Sequence, residues 1–125
     1  MFAELQRTGG EGTALAARAR GLNARVMLRA DQAETLVVIR GGAVVSVEAG
    51  PFVMPSWDVA LSAPADEWRR FLEAVPPPGA HDLMALVRRG VMRFEGNLHP
   101  LMANLMYFKL LLASLRPRTD GGPAA

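Results

Sequence analysis

An α+β domain, one mostly antiparallel five-stranded sheet with its helices packed on a single face, is the fold class to which three observations lead. From Ala24 the apolar residues recur at every second position through three consecutive segments, the period of a half-buried strand. After Pro64 the period lengthens: Trp68, Phe71, Leu72 and Val75 fall at i, i+3, i+4 and i+7, one face of a helix. The chain then closes on Val91 to Leu115, a short strand, a Gly96–Asn97 turn and a helix that is apolar around most of its circumference.

The 125 residues suffice for one domain, and a folded chain of this size removes roughly two thirds of its unfolded surface from water. There is no cysteine, which excludes a disulfide scaffold, thiolate metal sites and a cysteine nucleophile. Thirteen of the fourteen basic residues are arginine, scattered along the chain rather than gathered into a stripe, so no nucleic-acid partner is expected. Met1–Gly12 is polar and glycine-rich with no apolar leader segment, and a cytoplasmic protein is the expectation.

Residues 1–23 carry weak helix signals interrupted by glycine, with Ala14–Arg20 ended by Gly21, and are expected to be weakly helical or partly disordered. Strands follow at Ala24–Ala30, Thr35–Arg40 and Ala43–Ala49, the first two joined by Asp31–Glu34 and the last two by Gly41–Gly42, a dipeptide suited to a primed hairpin turn. With Arg25, Arg40 and Glu48 wet, the inner face takes Val26, Leu28, Val37, Ile39, Val45 and Val47. The other face carries Met27, Leu36, Val38 and Val44, more apolar surface than solvent tolerates, so the N-terminal segment or a second copy of the chain is expected to cover it. The Pro-bracketed loop Gly50–Ser56 leads to a fourth strand, Trp57–Ala63, with Trp57, Val59 and Leu61 inward. Pro64 starts the first long helix, in which Asp66–Arg70 and Arg69–Glu73 are i,i+4 ion pairs; Pro76–Gly79 ends it. A second helix, Ala80–Arg89, stops at Gly90, and Val91–Glu95 is the fifth strand. Residues 24–115 thus form the expected domain and 116–125 a mobile tail.

Candidate chemistry is sparse. His81 and His99 have no ligand-spaced partners, no phosphate loop or nucleophile elbow appears, and Asp58 faces away from the core. Neither metal nor cofactor is expected, and neither is catalysis. The last helix, Leu98–Leu115, would be about 27 Å long and contains Asn104 and Lys109, too short and too interrupted for a span; transient contact with a membrane surface remains open. Lys109 is the only charged residue between His99 and Arg116 and lies within the apolar face. Two readings stand: its stem snorkels to water near the helix C-terminus, or its ammonium sits at the mouth of an apolar cavity and pairs with a carboxylated lipid.

From Ala24 to Leu115 the chain resembles the sterol carrier protein type 2 domain family. The resemblance rests on Trp57–Leu61 (W-D-V-A-L), on the helix aromatic Trp68, and on Gly90–Asn97 (G-V-M-R-F-E-G-N) ahead of an apolar final helix. Asn97 stands where the family usually has aspartate, and the region before Ala24 is shorter than the family's N-terminal helix. The resemblance implies helices packed around an apolar tunnel, with non-catalytic binding or transfer of a sterol, fatty acid, fatty acyl-CoA or similar lipid. The residues placed around such a tunnel are Phe71, Leu72, Leu83, Val87, Phe94, Leu101, Met102, Leu105 and Leu112, with Lys109 at its mouth. The shorter N-terminal region leaves the outer sheet face open to a homodimer contact. Two other classes stay open: an accessory module docking through the last helix or the outer sheet face, and a small enzyme acting on a hydrophobic substrate.

Overall fold

A computed structural model of the chain describes residues 1–117. The expected tail, 116–125, lies outside the described residues except for Arg116 and Pro117. The element order is α1 (Leu5–Gly9), α2 (Ala14–Arg18), β1 (Ala24–Ala30), β2 (Ala33–Arg40), β3 (Ala43–Ala49), β4 (Val59–Ala63), α3 (Ala65–Phe71), α4 (Leu83–Arg88), β5 (Arg93–Gly96), α5 (His99–Ala103) and α6 (Leu105–Ala113). The five strands form one sheet in the order β3-β2-β1-β4-β5. Three of its four pairings are antiparallel; β1 with β4 is parallel.

The meander follows from local chemistry. Asp31 takes a left-handed conformation (φ 54°), which lets the first turn close on Asp31–Gln32 and starts β2 at Ala33, two residues earlier than the sequence suggests. Gly41 and Gly42 both have positive φ (57° and 82°), as a primed turn requires. β3 contains a bulge: Ile39 opposes Val44 while Val38 opposes Ser46, leaving Val45 as the extra residue. The side-chain phase therefore flips within the strand. Val44 is buried and Val45 exposed, the reverse of strict alternation.

Because β3 runs parallel to β4 and two strands separate them, the connection 50–58 has to cross the sheet. It crosses on the outer face. Phe52 and Trp57 pack there against Met27, Leu36, Val38 and Ala60, and the Arg29 guanidinium lies 5.3 Å from the Trp57 ring centroid. Two expectations are corrected by this. Trp57 precedes β4 and faces outward, and the chain's own crossover loop, rather than the N-terminal segment, packs on the apolar outer patch.

All helices contribute to the other face. Phe2, Leu5, Ala19 and Leu22 share one core with Val26, Leu28, Val37, Ile39, Val59 and Leu61, so residues 1–23 pack into the main core. Thr13 caps α2 by accepting from the Ala16 amide at 3.2 Å. Trp68 is fully buried, stacks edge-on with Phe2 and Phe71, and donates its indole N–H to Arg29 O at 2.8 Å. Burying a side chain of this size contributes on the order of 3 kcal/mol. α3 ends at Phe71, so Val75 lies beyond it and is exposed rather than completing the apolar stripe. The ion pairs on α3 are i,i+3, Asp66–Arg69 and Glu67–Arg70, instead of the i,i+4 pairs expected. α4 and β5 are shorter than their sequence patterns, beginning at Leu83 and Arg93. The final helix is two helices: Asn104 leaves the helical region (φ −125°, ψ 33°) and its side-chain Nδ2 donates to Pro100 O at 2.9 Å, which ends α5.

Candidate functional site

The layer between α6 and the inner face of the sheet is walled by apolar side chains. α6 reaches it because Phe108, Leu111 and Leu112 project toward the sheet from positions i, i+3 and i+4, the spacing of one helix face. They meet Leu5 from α1 and five sheet residues, Val26, Leu28, Val37, Ile39 and Leu61. The close approach of α1 depends on Gly9, where a Cβ would run into Leu111 Cδ1.

No polar atom lines this space, and its volume is about 10 Å³. That is close to the minimum for one water molecule, and an apolar wall leaves it dry. Larger hollows lie elsewhere; one of about 580 Å³ lies between α2 and the β2–β3 turn and carries Glu11, Arg20 and Arg40. The expected apolar tunnel is therefore a closed, packed layer in this conformation.

Of the ten residues expected to line a tunnel, Leu112 alone borders the void. Phe71, Leu83 and Leu101 are fully buried in the surrounding core, and Leu72, Val87 and Phe94 are half-buried against it. Leu105 is half-buried, and Met102 is exposed. Those missed are Leu5, Phe108, Leu111 and the inner sheet residues. The signal for Phe108 and Leu111 was present in the helical spacing, since both flank Leu112 on its face; that of Leu5 was hidden in a segment of glycine and polar residues.

Lys109 points away from the void. Its Nζ pairs with Asp82 Oδ1 at 3.0 Å, with both side chains about a quarter exposed. Asp82 is the N-cap residue of α4 but makes no capping hydrogen bond; its carboxylate reaches α6 instead. Arg116, just after α6, donates to Phe71 O at 2.7 Å and His81 O at 2.9 Å and lies 4.5 Å over the Phe71 ring. Burial pulls its guanidinium pKa down from the usual value, and the nearby Asp82 carboxylate opposes that shift.

Two buried polar side chains, Glu67 and Tyr107, are engaged in structure, whereas the buried Ser62 Oγ has no hydrogen-bond partner. Glu67 bonds Arg89 at 3.0 and 3.3 Å and Arg70 at 2.9 Å; the Arg89 hydrogen bond holds its carboxyl below the usual range despite desolvation. Tyr107 donates its hydroxyl to Gly42 O at 2.7 Å, and burial pushes its pKa up to about 12. Among the described residues, no group of three or more His, Asp or Glu side chains is placed to hold a metal ion, and no helix is long and apolar enough to cross a membrane.

The sequence matches no protein-family model and none of the curated proteins compared with it. Solved structures do match. A crystal structure of sterol carrier protein 2 superposes with a TM-score of 0.75 over 94% of each chain at 16% identity. The fold of this chain is that of sterol carrier protein 2. A possible sterol carrier protein from Thermus thermophilus, TT1886, matches with a TM-score of 0.63 over 98% of this chain and 94% of its own, also at 16% identity. The ubiquinone synthesis protein UbiJ-SCP2 matches with a TM-score of 0.57 at 18% identity, over 89% of this chain and 88% of that one. The mixed five-stranded sheet with helices on one face is thus the sterol carrier protein 2 fold.

Proposed function

We propose that this domain binds or transfers a lipid or another apolar small molecule in the layer between α6 and the sheet, without catalysing a reaction on it. The observation that carries the reading is the layer itself, walled entirely by apolar side chains in a fold shared with a sterol carrier protein. A void of about 10 Å³ cannot accommodate a fatty chain, so binding requires α6 to move outward from the sheet. Such a movement would add Phe71, Leu83 and Leu101 to the wall around Leu112, with Leu72, Val87, Phe94 and Leu105 at its margins. Met102 would stay outside, and Lys109, which pairs with Asp82 in the closed arrangement, would lie at the rim. Non-catalytic action fits the polar inventory: Glu67 and Tyr107 are both committed to structural hydrogen bonds.

The test is titration with a fluorescent fatty acid and displacement by unlabelled lipids, with native mass spectrometry reporting any retained ligand and the subunit count. Saturable one-to-one binding that is reversed by competitor is the expected result. Folded protein with no saturable binding would overturn the reading. One observation favours a second one in that event: Leu98, Met102, Met106 and Leu110, spaced by four along α5 and α6, are exposed apolar side chains fit for docking on another subunit.

A further inference from the structure

The two edges of the sheet are finished differently. β3 carries the bulge at Val45, α1 lies alongside it, and the Gln6 side chain donates to Val45 O at 3.1 Å, so the backbone of that edge is bent and partly occupied. Devices of this kind keep an edge strand from pairing with another chain. β5 has neither a bulge nor a proline, and it is hydrogen-bonded to β4 alone. Its backbone direction follows from its neighbours. The Asn97 N–H donates to Asp58 O at 2.8 Å, one step beyond the β4–β5 register. Antiparallel pairs alternate between hydrogen-bonded and non-bonded, so Glu95–Ala60 and Arg93–Ser62 are the bonded pairs and Phe94 is turned the other way. The parallel β1–β4 ladder agrees: the Asp31 N–H donates to Ala63 O, which leaves Ala60 and Ser62 facing β5. The Phe94 N–H and C=O therefore point out of the sheet, and among the described residues neither has a hydrogen-bond partner.

The side chains on this strand are complementary to themselves. In a two-fold antiparallel pairing, the residue on the axis must be one whose backbone groups face the edge. With Phe94 there, its N–H and C=O bond reciprocally to Phe94 of a second copy, and Arg93 falls directly opposite Glu95 of that copy, twice by symmetry. The Phe94 rings meet on the helical face, where Phe94 already packs against the core, and the charges meet on the outer face. Among the described residues Arg93 makes no ion pair, and Glu95 makes only a 3.9 Å contact with Arg29, so both are available. Moving the axis two residues either way loses both pairs. Met92 has already donated its N–H to Leu86 O, and Gly96 has left the extended region, with φ +92°.

We infer that the free β5 edge is a homodimer interface, in which β5 of two copies pairs antiparallel about Phe94 and the two sheets become one. This is not the outer sheet face, the place at which the sequence leaves room for a homodimer contact. It is also independent of lipid binding. The occupant is a second copy because the order Arg93, Phe94, Glu95 matches its own reversal in charge and in shape.

Sedimentation velocity of the full chain, over about 1–100 μM, should show the dimer forming. Arg93→Glu sets glutamate opposite glutamate at both positions, and Glu95→Arg sets arginine opposite arginine, so each should weaken self-association by about tenfold or more. Mixing the two variants restores opposite charges at both positions, and native mass spectrometry should then show a heterodimer that neither variant forms with itself. Thermal melts establish that both are folded. Amide exchange of the wild-type chain gives an arm that needs no substitution and decides the matter if a variant does not fold. The Phe94 amide should slow by about tenfold as the concentration rises through dimerisation, while amides of β1, already inside the ladder, stay as they are. A wild-type chain that remains monomeric throughout would overturn the inference. So would a dimer indifferent to both charge reversals, a mixture of folded variants that gives no heterodimer, or a Phe94 amide that exchanges equally fast in monomer and dimer.

Discussion

Glu67 is the buried charged residue among those described, at 8% exposure, and its setting shows how one side chain decides the join between α3 and α4. Its carboxylate gathers Arg70 from its own helix and Arg89 from the end of α4, and Arg89 also donates to Gly79 O. Glu67→Gln keeps the shape but gives up the charge, and should lower stability at neutral pH by about 1–3 kcal/mol. The native carboxyl titrates below its unfolded value of 4.5, so the unfolded chain takes up the proton first as pH falls. The stabilisation is therefore present above pH 4.5 and is lost as pH drops through the native pKa. Urea unfolding of both proteins at pH 7 and near pH 3 should show a gap that narrows in acid. The sequence made the pairing hard to see, because Glu67 and Arg89 are distant in the chain and only the docking of two helices brings them together.

At the scale of elements, the β2–β3 hairpin links the sheet to the helical layer through Gly42. Its φ of +82° is unfavourable for any side chain, and a Cβ there would press on the carbonyl oxygens of Ala16 and Ala19 in and after α2. Backbone cannot yield as a flexible side chain does. Gly42→Ala should therefore cost more than the roughly 1–2 kcal/mol of a left-handed alanine alone, read as a fall in the urea midpoint. The Gly41–Gly42 turn was readable because the conformation it needs is local. The bulge at Val45 was not, since an extra residue in one strand is defined only by its partner. The division of the last helix at Asn104 had a local cause, but an apolar run on both sides of it reads as continuous periodicity.

For the molecule as a whole, the first residues matter more than their composition suggests. Phe2 and Leu5 are buried at 3% and 0% exposure, one against Trp68 and the other under α6 and the sheet. We predict that a chain lacking residues 1–9 loses roughly 3–6 kcal/mol, the worth of two buried side chains, with the melting temperature falling accordingly. Retained wild-type stability would show that the remaining chain repacks around the gap. The outer sheet face makes the same point: its apolar residues were visible as a surface in need of cover, yet Trp57, which packs there, was placed inward by alternation.

The sequence alone determined the fold class, the helical and strand periods, the hairpin turns and the likeness to sterol carrier proteins, because each rests on local spacing or on the order of short motifs. The tertiary structure decided which face the crossover takes, which residues wall the apolar layer, how small that layer is, and that Lys109 turns to Asp82. Each of these depends on two segments meeting, and the phase of a strand or the direction of a long side chain is set by the partner it meets.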